Sequence, residues 1–389
     1  MKILNVLSSM DPVAGGGIME RVHQLSRYLI KKGHHCAIFA TAHGWDQSFI
    51  DKIEGLEAAS IPCISDRYMI PKGAGHWLEN NICRFDILHL AGNWSPINVI
   101  AYKVAKKHNV PYVFSAMGWL KIDGRSRFLK HFFRLLWTRP MLRDADAVVA
   151  ISPREIDDYM RLDVPKEKIK FIPNGIVTDE LVSNDDKSFR DRYGLDNRKI
   201  ILFIGRLSPI KGADLLVEAF SFIVGEFPDY QLLIFGNDHG GFQSEVERKI
   251  EALNMRNSIK IFPPIFGVEK SWAYHAAELF VIPSRYDTMT IVALEAAACG
   301  CPVLITDRCD FAAIGENGVG LVVPCETQAI AGGMHRLLNN PVGLKQMGAI
   351  AEKYVLQKYH WDKISDDFIR LFENVRELYI NMHHNRRIK

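Results

Sequence analysis

The sequence predicts an α/β protein of two doubly wound domains, in which helices cover both faces of a parallel sheet. Three observations support this prediction. Short apolar runs alternate with helical patterns from "KILNVLS" to "KIKFIPNGI", and the alternation restarts from "KIILFIGR" to "GVGLVVP". A polar stretch, "VSNDDKSFRDRYGLDNRK", separates the two series. The 389 residues also exceed what one hydrophobic core usually holds. Strands that alternate with helices form parallel sheets, so each series predicts one sheet.

The break between the two series sets the predicted domain boundaries. We place one Rossmann-like domain at residues 1–175 and a second at 176–361. A C-terminal helix at about 362–389 is expected to pack back on the first domain. Ligands of such sheets bind at the carboxyl ends of the strands, on loops that lead into helices. We therefore expect the site residues on these loops, around a cleft between the domains.

The composition is that of a soluble globular protein, with 48% hydrophobic and 24% charged residues. Lys and Arg number 48 against 45 Asp and Glu, a balance that does not indicate a nucleic-acid partner. No apolar run reaches the roughly 18 residues of a membrane span, and the N-terminal run is too short for a signal peptide. Seven scattered cysteines predict reduced thiols in the cytoplasm. Cys299, Cys301 and Cys309 lack a second ligand pair at zinc spacing, so no metal site is predicted.

A glycine-rich loop, "PVAGGGIMER" at 12–21, follows the first predicted strand. Glycines there allow a ligand to approach the backbone, which makes Gly16 and Gly17 candidate binding residues. Gly15 and Gly17 fit two positions of the dinucleotide fingerprint, but Glu20 stands at the third. A dehydrogenase is therefore weakly supported, and a flexible turn without a ligand is the alternative.

Two cations flank the first loop of the second domain, "LFIGRLSPIKGADLLVEAF". The strand ends at Gly205, and Arg206 and Lys211 precede the next helix. Fixed cations beside a helix N-terminus favour a diphosphate, because Arg offers a forked pair of donors and Lys a point charge. Two solvated basic residues are the alternative.

Two acids flank a later helix start in "SRYDTMTIVALEAAACGCPV", residues 284–303. The helix is predicted from near Thr290 to Gly300, because Gly and then Pro302 form a stop signal. Asp287 lies on the loop before the helix and Glu295 within it. Helix N-termini attract anions, so acids placed there must do something other than bind the anion.

A basic amphipathic helix is predicted in "GRSRFLKHFFRLLWTRP", residues 124–140. Such a helix suits an anionic membrane surface, and a buried domain helix with a solvated basic face is the alternative. The following residues are predicted on its apolar side: Phe128, Leu129, Phe132, Phe133, Leu136 and Trp137. The other side is predicted to carry Arg127, Lys130, His131 and Arg134, with Arg125 and Arg139 nearby.

Taken in order along the chain, these motifs resemble glycosyltransferase family 4, whose members are retaining enzymes of the GT-B fold. The resemblance covers nearly the whole chain, and it includes "AISPRE", "FIPNGI", "GRLSPIKG", "FGNDHGG" and "EAAACGCPV". It implies transfer of a sugar from a nucleoside-diphosphate-sugar to a glycan or lipid-linked saccharide, with no metal and no other cofactor. The expected setting is bacterial surface polysaccharide synthesis in the cytoplasm, with possible attachment to the inner face of the membrane.

The resemblance also assigns roles to the donor residues. Glu295 would accept hydrogen bonds from the ribose hydroxyls, and Asp287 would hold hydroxyls of the donor sugar. Arg206 and Lys211 would stabilise the charge that grows on the leaving phosphate. The backbone amides around Met289, Thr290 and Ile291 would face the phosphates or the sugar. His89, Asn93 and Trp94, in "ILHLAGNWSP", are candidate acceptor contacts, with a core histidine as the alternative for His89.

The sequence departs from the family at three places in the sugar pocket. Asp287 stands where the family usually has Glu, and Met289 with Thr290 replaces a usual Phe-Gly pair. Met117, in "VFSAMGWL", replaces a common His. An apolar Met there suggests a donor sugar without its 6-hydroxyl, and a Met that only fills space is the alternative. A sugar-nucleotide 2-epimerase and a non-catalytic nucleotide-sugar binder are the competing functions.

Overall fold

The computed structural model describes residues 1–12, 15–65, 67–118, 120–122, 126–179, 181 and 183–387, with side chains described to residue 381. The chain divides into two compact units. The first comprises Met1–Asn174 and Trp361–Lys389, and the second comprises Gly175–His360. The first unit is therefore built from two separate stretches of chain, and the second is continuous.

Strands and helices alternate along most of the chain. The strands are β1 (Lys2–Ser9), β2 (His35–Thr41), β3 (Glu57–Ile61), β4 (Cys63–Ser65), β5 (Ile70–Pro71), β6 (Ile87–Ala91), β7 (Tyr112–Ser115), β8 (Ala147–Ala150), β9 (Ile169–Phe171), β10 (Lys199–Ile204), β11 (Tyr230–Phe235), β12 (Ile259–Phe262), β13 (Ala277–Ile282), β14 (Val303–Thr306) and β15 (Gly320–Val323). The α-helices of the first unit are α1 (Gly16–Lys31), α2 (Gln47–Ile50), α3 (Ala74–Asn81), α4 (Pro96–His108), α5 (Arg127–Phe133), α6 (Arg139–Asp144) and α7 (Pro153–Met160). Those of the second unit are α8 (Asp186–Tyr193), α9 (Ala213–Ser221), α10 (Phe242–Ala252), α11 (Gly267–Ala276), α12 (Ile291–Ala298), α13 (Ala313–Glu316), α14 (Thr327–Leu338) and α15 (Pro341–Tyr359), and α16 (Trp361–Arg387) returns to the first unit.

Each unit contains one parallel sheet. The first has seven strands in the order β3-β2-β1-β6-β7-β8-β9, and the second has six in the order β12-β11-β10-β13-β14-β15. Central strands such as β10 are buried along almost their whole length, as expected of strands covered on both faces. The predicted α/β class with two Rossmann-like sheets is confirmed.

The strand order reverses between β1 and β6 in the first sheet and between β10 and β13 in the second. Loops at the carboxyl ends of strands diverge at such a reversal and leave a crevice where ligands bind. The glycine-rich loop follows β1, and the loop with Arg206 and Lys211 follows β10. The topology therefore puts both predicted motifs at the reversal of their own sheet.

Helix α16 completes the core of the first unit. It packs against α1, and its side chains Trp361, Phe368 and Phe372 are at most 2% exposed. Phe368 lies edge-on to the ring of His89 at a centroid distance of 5.6 Å. The last stretch of the chain is thus part of the hydrophobic core that the first 174 residues begin. No helix in the described part of the chain is long and apolar enough to cross a bilayer.

Candidate active site

The loops that follow β10 and β13 are locked together in the second unit. The Arg285 guanidinium donates to the Pro209 carbonyl at 2.6 Å and to both carboxylate oxygens of Asp214 at 2.8 and 2.6 Å. Gly212 has φ +74°, and a Cβ atom there would lie 2.1 Å from the Pro283 carbonyl oxygen. Only glycine fits this close approach. The sequence folds locally so that the two loops form one surface.

This arrangement brings Lys211 and Asp287 together. Lys211 Nζ lies 2.5 Å from Asp287 Oδ2, and the two side chains are 22% and 16% exposed. Asp287 Oδ1 accepts from its neighbour's amide at Thr288, and the Asp287 amide donates to the Arg308 carbonyl. The carboxylate is therefore fixed beside the ammonium group. The predicted phosphate cation and the predicted sugar carboxylate form one ion pair.

Arg206 supplies a second cation at the end of β10. Its side chain is exposed and has no ion pair or hydrogen bond among the described residues. The Gly205 amide before it donates to the Phe235 carbonyl, which ties the strand end to β11. Arg206 is thus free to meet an anion from solvent, whereas Lys211 already has a carboxylate partner.

The start of α12 corrects one detail of the sequence interpretation. The Met289 amide donates to the Cys309 carbonyl at 3.1 Å, and its side chain is 2% exposed in the core. Met289 has φ +46°, so the chain turns sharply before the helix. The Met289 amide is therefore occupied within the protein. The amides of Ile291 and Val292, which follow the N-cap Thr290, have no partner within the helix and are the donors left for a ligand, whereas the Ala293 amide donates to the Thr290 carbonyl at 3.2 Å.

Glu295 lies in the second turn of α12 and has two partners on α11. Its Oε2 accepts from the Tyr274 hydroxyl at 2.8 Å and lies 2.6 Å from Lys270 Nζ. Burial raises the pKa of Tyr274 well above its ordinary value, so this hydroxyl keeps its proton and donates. The sequence interpretation missed both partners. Lys270 and Tyr274 are four residues apart, a spacing that puts two side chains on one face of a helix, and this spacing was the available signal in the sequence.

The glycine loop of the first unit brings backbone segments closer together than a side chain would allow. A Cβ atom at Gly15 would lie 2.4 Å from the Asp11 carbonyl oxygen, and Gly16 has φ +59°. Gly16 and Gly17 are exposed at the N-terminus of α1. Residues 13 and 14 lie outside the described residues. The geometry suits the predicted binding role of Gly16 and Gly17, which stays a prediction.

His89 is a core residue, and its assignment to the acceptor pocket is wrong. Its side chain is fully buried on β6, where Nδ1 bonds to Asn5 Oδ1 at 2.8 Å and Nε2 to Ser115 Oγ at 2.7 Å. Burial, helped by the charge of Arg21, lowers the pKa of His89 to about 3. Both ring nitrogens are satisfied inside the sheet, so none is offered to a sugar.

Met117 also packs inside the first unit. It is 7% exposed and belongs to an apolar cluster with Met10 and Met19. Its φ of +54° turns the backbone, while the side chain fills the space between β1, α1 and β6. The space-filling alternative describes Met117, and the inference of a 6-deoxy sugar loses its support.

Trp94 is the candidate acceptor residue that keeps an accessible surface. Its ring is half-buried, 5.7 Å from the ring of Phe133. Lys130 Nζ lies 5.8 Å from the Trp94 ring centroid. Asn93, by contrast, is 2% exposed and accepts from Thr138 Oγ1 at 2.9 Å. The loop after β6 is thus attached to the segment 127–138 through both residues.

Two family models match this chain. One, described as glycosyl transferases group 1, matches residues 185–380, and one described as glycosyltransferase family 4 matches residues 15–180. The first match alone spans half of the chain, and it contains the donor residues placed in the second unit, whereas Gly16 and Gly17 fall in the second match.

The chain belongs to glycosyltransferase family 4.

Related proteins are similar to this glycosyltransferase over nearly its full length. An uncharacterized glycosyltransferase of Methanocaldococcus jannaschii is 26% identical over 97% of this chain and 99% of its own length. A phosphatidyl-myo-inositol mannosyltransferase of Mycobacterium tuberculosis is 26% identical over 92% of this chain and 93% of its own. The crystal structure of Anabaena HepE in complex with UDP is similar with a TM-score of 0.81 at 18% identity, over 96% of this chain and all of that one. This likeness supports the GT-B fold.

The segment 127–138 of this glycosyltransferase is more exposed than a domain helix. It forms α5 and then a π-helical turn, Arg134–Thr138, and none of the α5 residues is buried. Its exposed apolar side chains, each more than half accessible, are Phe128, Leu129, Phe132, Leu135 and Leu136. Only Phe133 and Trp137 of the predicted apolar side pack partly against the core. The alternative of a buried helix is wrong, and residues 124 and 125 lie outside the described residues.

The motifs "AISPRE" and "FIPNGI" hold the first unit of this glycosyltransferase together. The buried Glu155 carboxylate accepts from the Gly118 amide at 2.6 Å and the Ile151 amide at 2.8 Å. The buried Arg21 guanidinium donates to the Ile172 carbonyl and to Asn174 Oδ1, both at 2.7 Å. Burial raises the pKa of Glu155 to about 7 and lowers that of Arg21 to about 9. Glu155 thus ties the segment after β7 to the end of β8, and Arg21 ties α1 to the segment after β9.

Proposed function

We propose that this glycosyltransferase moves a hexosyl group from a nucleoside-diphosphate-sugar to a glycan or lipid-linked saccharide, with retention and without a metal ion. The observation that carries the proposal is the Lys211–Asp287 pair at the strand reversal of the second sheet. It combines a cation for a phosphate with a carboxylate for sugar hydroxyls. The exposed Arg206 and the first amides of α12 add donors for the diphosphate.

The proposed reaction needs no nucleophile from the protein. The bond from the sugar C1 to the diphosphate oxygen breaks, and the acceptor oxygen bonds to C1 on the same face. The acceptor proton passes to the leaving diphosphate oxygen, which balances the step. Arg206 and Lys211 stabilise the negative charge that grows on this oxygen, and Asp287 orients the sugar through its hydroxyls.

The relatives support the choice of substrates. HepE was crystallised with UDP, and the mycobacterial relative is named for transfer of mannose to phosphatidyl-myo-inositol. Proteins that are similar over nearly the full chain are thus known with a bound nucleotide and with a lipid in the name of their acceptor. Surface polysaccharide synthesis in bacteria is the setting that we propose.

We further propose that α5 and the turn after it bind an anionic membrane surface. The exposed apolar side chains lie beside Arg127, Lys130, His131 and Arg134. Apolar side chains flanked by cations suit a bilayer with anionic head groups. The contact between Phe133 and Trp94 joins this segment to the candidate acceptor loop. A lipid-linked acceptor would then be bound next to the surface that carries it.

Thermal unfolding against a panel of nucleotides and sugar nucleotides, with chelator present, tests the donor site. A ligand at about 100 times its dissociation constant adds roughly 2.7 kcal/mol of stability. We expect one nucleoside diphosphate and its sugars to stabilise the protein without metal. Stabilisation only after a divalent metal is added would contradict the metal-independent site. No stabilisation under either condition would contradict the donor site itself.

The competing function is a nucleotide-sugar binder without turnover. It is favoured by Asp287 in place of Glu and by the side chain of Thr290 at the helix start. Incubation with the stabilising donor and a panel of acceptors separates the two functions. Release of nucleoside diphosphate that depends on the acceptor supports transfer, and an α-configured product from an α-linked donor supports retention.

A further inference from the structure

A cysteine, a histidine and a glutamate form a cluster at the amino edge of the first sheet. Glu79 lies on α3, Cys83 on the 3₁₀ turn Ile82–Arg84 before β6, and His108 at the end of α4 before β7. Cys83 Sγ lies 3.6 Å from His108 Nδ1, and His108 Nε2 is bound to Glu79 Oε2. The glycine loop follows β1 at the opposite edge, so this cluster is separate from the edge where ligands of such a sheet bind.

The Glu79 carboxylate fixes the orientation of the imidazole. Hydrogen bonds from Lys107 and from His108 lower the pKa of Glu79, so this carboxylate is ionised and accepts the Nε2 proton. In the neutral ring, a proton held on Nε2 leaves Nδ1 with a lone pair that faces the thiol. The next residue, Asn109, accepts a hydrogen bond from Tyr379 of α16, which anchors the end of α4. A nucleophile, a base within its reach and a group that orients the base are the parts of an activated thiol.

Cys83 differs from the other six cysteines in exposure and in partner. It is exposed, whereas three are buried and three are half-buried. In the part of the chain that the structure describes, none of the six has a histidine within hydrogen-bond distance. Cys63 is the half-buried comparison. Burial raises the pKa of the remaining five thiols, which keeps them protonated: Cys36, Cys299, Cys301, Cys309 and Cys325.

Two cations lie beside the cluster. Lys107 Nζ binds the second carboxylate oxygen of Glu79 at 2.8 Å. Arg84 directly follows Cys83 and pairs with Glu57 at 3.0 Å. The Lys107 and Arg84 side chains are 65% and 51% exposed, so both can also meet an anion from solvent. A reagent with carboxylate groups is therefore favoured near the thiol.

We propose that Cys83 is a modification site, at which the thiol forms a mixed disulfide with a small anionic disulfide and His108 acts as the base. Cys83 Sγ bonds to one sulfur of the reagent, the sulfur–sulfur bond of the reagent breaks, and its other half leaves as a thiolate. The thiol proton passes to His108 Nδ1 and from there to the departing thiolate, so the exchange balances without an oxidant. Glu79 is a positioning residue that holds the imidazole. The modification needs no sugar or nucleotide and does not depend on the proposed function.

Reaction of the full chain with dithiobis(nitrobenzoic acid), and in parallel with glutathione disulfide, tests this site. Mass spectrometry of the peptides identifies the cysteine that reacts first. Only a few per cent of an ordinary thiol is thiolate at neutral pH, so a base nearby should let Cys83 react about tenfold or more faster than Cys63. Cys83→Ser should remove this fast reaction, and Cys63→Ser should keep it.

His108→Gln removes the base and should slow the reaction at least about fivefold near neutral pH. The difference should shrink in alkaline solution, where a thiol ionises without a base, and a histidine that only supports the fold would not produce this pH dependence. His335→Gln is the matched control. His335 pairs with Glu226 at 3.0 Å, but its other ring nitrogen meets Asn339 instead of a thiol, so the rate should stay unchanged.

Two results would overturn the proposal. One is a Cys83 that reacts no faster than Cys63 with either reagent, and the other is a rate that His108→Gln leaves unchanged at neutral pH. Unfolding of His108→Gln would be visible, because the buried Cys36 would then react as well. In that case Glu79→Gln decides, since it keeps the base and should slow the reaction about twofold or more while Cys36 stays unreactive.

Discussion

Asp287 forms an ion pair with Lys211, the cation that we propose for binding the diphosphate. Lys211 Nζ and Asp287 Oδ2 lie 2.5 Å apart, and both side chains are less than a quarter exposed. The negative charge of this carboxylate would therefore oppose binding of a diphosphate to Lys211. The residue that we propose for the donor sugar would thus also favour release of the product nucleoside diphosphate.

Asp287→Asn is expected to tighten nucleoside diphosphate binding while it abolishes transfer. Loss of the pair frees Lys211, and a pair of this kind contributes ~1 kcal/mol, or about fivefold in affinity. Transfer should fall at least about 100-fold, because Asp287 no longer orients the charged transition state. Calorimetry and an assay of nucleotide release measure the two effects.

Asp229→Asn is the matched control, since it breaks the exposed Lys199–Asp229 pair of the same unit. It should change neither affinity nor transfer. Weaker nucleotide binding by Asp287→Asn would contradict the competition, because it would mean that Asp287 itself attracts the ligand.

His89 couples the stability of the first unit to pH. Its pKa is lowered to about 3 in the folded protein from the ordinary value of 6.5. Between these values the unfolded chain binds more protons, so stability is full above pH 6.5 and is lost as the pH falls toward 3. His89→Gln cannot titrate, and its free energy of unfolding should depend less steeply on pH by up to about 1.4 kcal/mol per pH unit. Urea unfolding between pH 7.5 and 4.5 measures this difference.

A control for this prediction is His76→Gln, which replaces an exposed histidine of the same unit. An unchanged slope in His89→Gln would mean that His89 is protonated in the folded protein, contrary to its burial.

At the scale of elements, α5 exposes apolar side chains that a domain helix would bury. Phe128 is 74% and Phe132 is 52% exposed. Each apolar side chain that enters a bilayer contributes roughly 1.5–3 kcal/mol. The double variant Phe128→Ser with Phe132→Ser should therefore lose most of its binding to anionic lipid vesicles, measured by sedimentation at low salt.

The matched control removes exposed apolar side chains from the second unit. Phe222 and Ile350 are 54% and 50% exposed, so Phe222→Ser with Ile350→Ser should leave vesicle binding unchanged. Equal binding by both double variants, or no binding of the wild type to anionic vesicles, would exclude α5 as a membrane contact.

At the scale of the whole molecule, the first unit depends on a helix from the far end of the chain. Phe368 on α16 is fully buried and packs against His89 and below the Arg21 guanidinium. Phe368→Ala should lower the free energy of unfolding of the first unit by about 3–5 kcal/mol. The second unit is continuous in sequence and should keep its nucleotide binding.

Leu378→Ala is the control on the same helix, because Leu378 is 64% exposed. It should change the free energy of unfolding by no more than about 0.5 kcal/mol. Urea unfolding and nucleotide titration of both variants make the comparison. Loss of nucleotide binding in Phe368→Ala would show that the two units do not fold independently.

The sequence by itself determined the fold class, the family and the position of the donor loops. Hydrophobic periodicity and glycines are local signals that can be recognised in the sequence. In a parallel sheet the loop between a strand and the next helix lies at the carboxyl edge, so these signals already place Arg206, Lys211 and Asp287 at that edge. Only the tertiary structure decided which side chains face that edge. His89 lies in the middle of β6 and Met117 lies two residues after β7, and both side chains point into the core, because strand pairing and helix packing choose the face.

The partners of the charged groups were likewise decided by tertiary structure. Glu295 meets Lys270 and Tyr274 from another helix, and Asp287 meets Lys211 from another loop. The exposure of α5 has the same origin, since an amphipathic pattern does not state what covers its apolar side. Local patterns depend on neighbours in sequence, whereas burial and ion pairing depend on segments that only folding brings together.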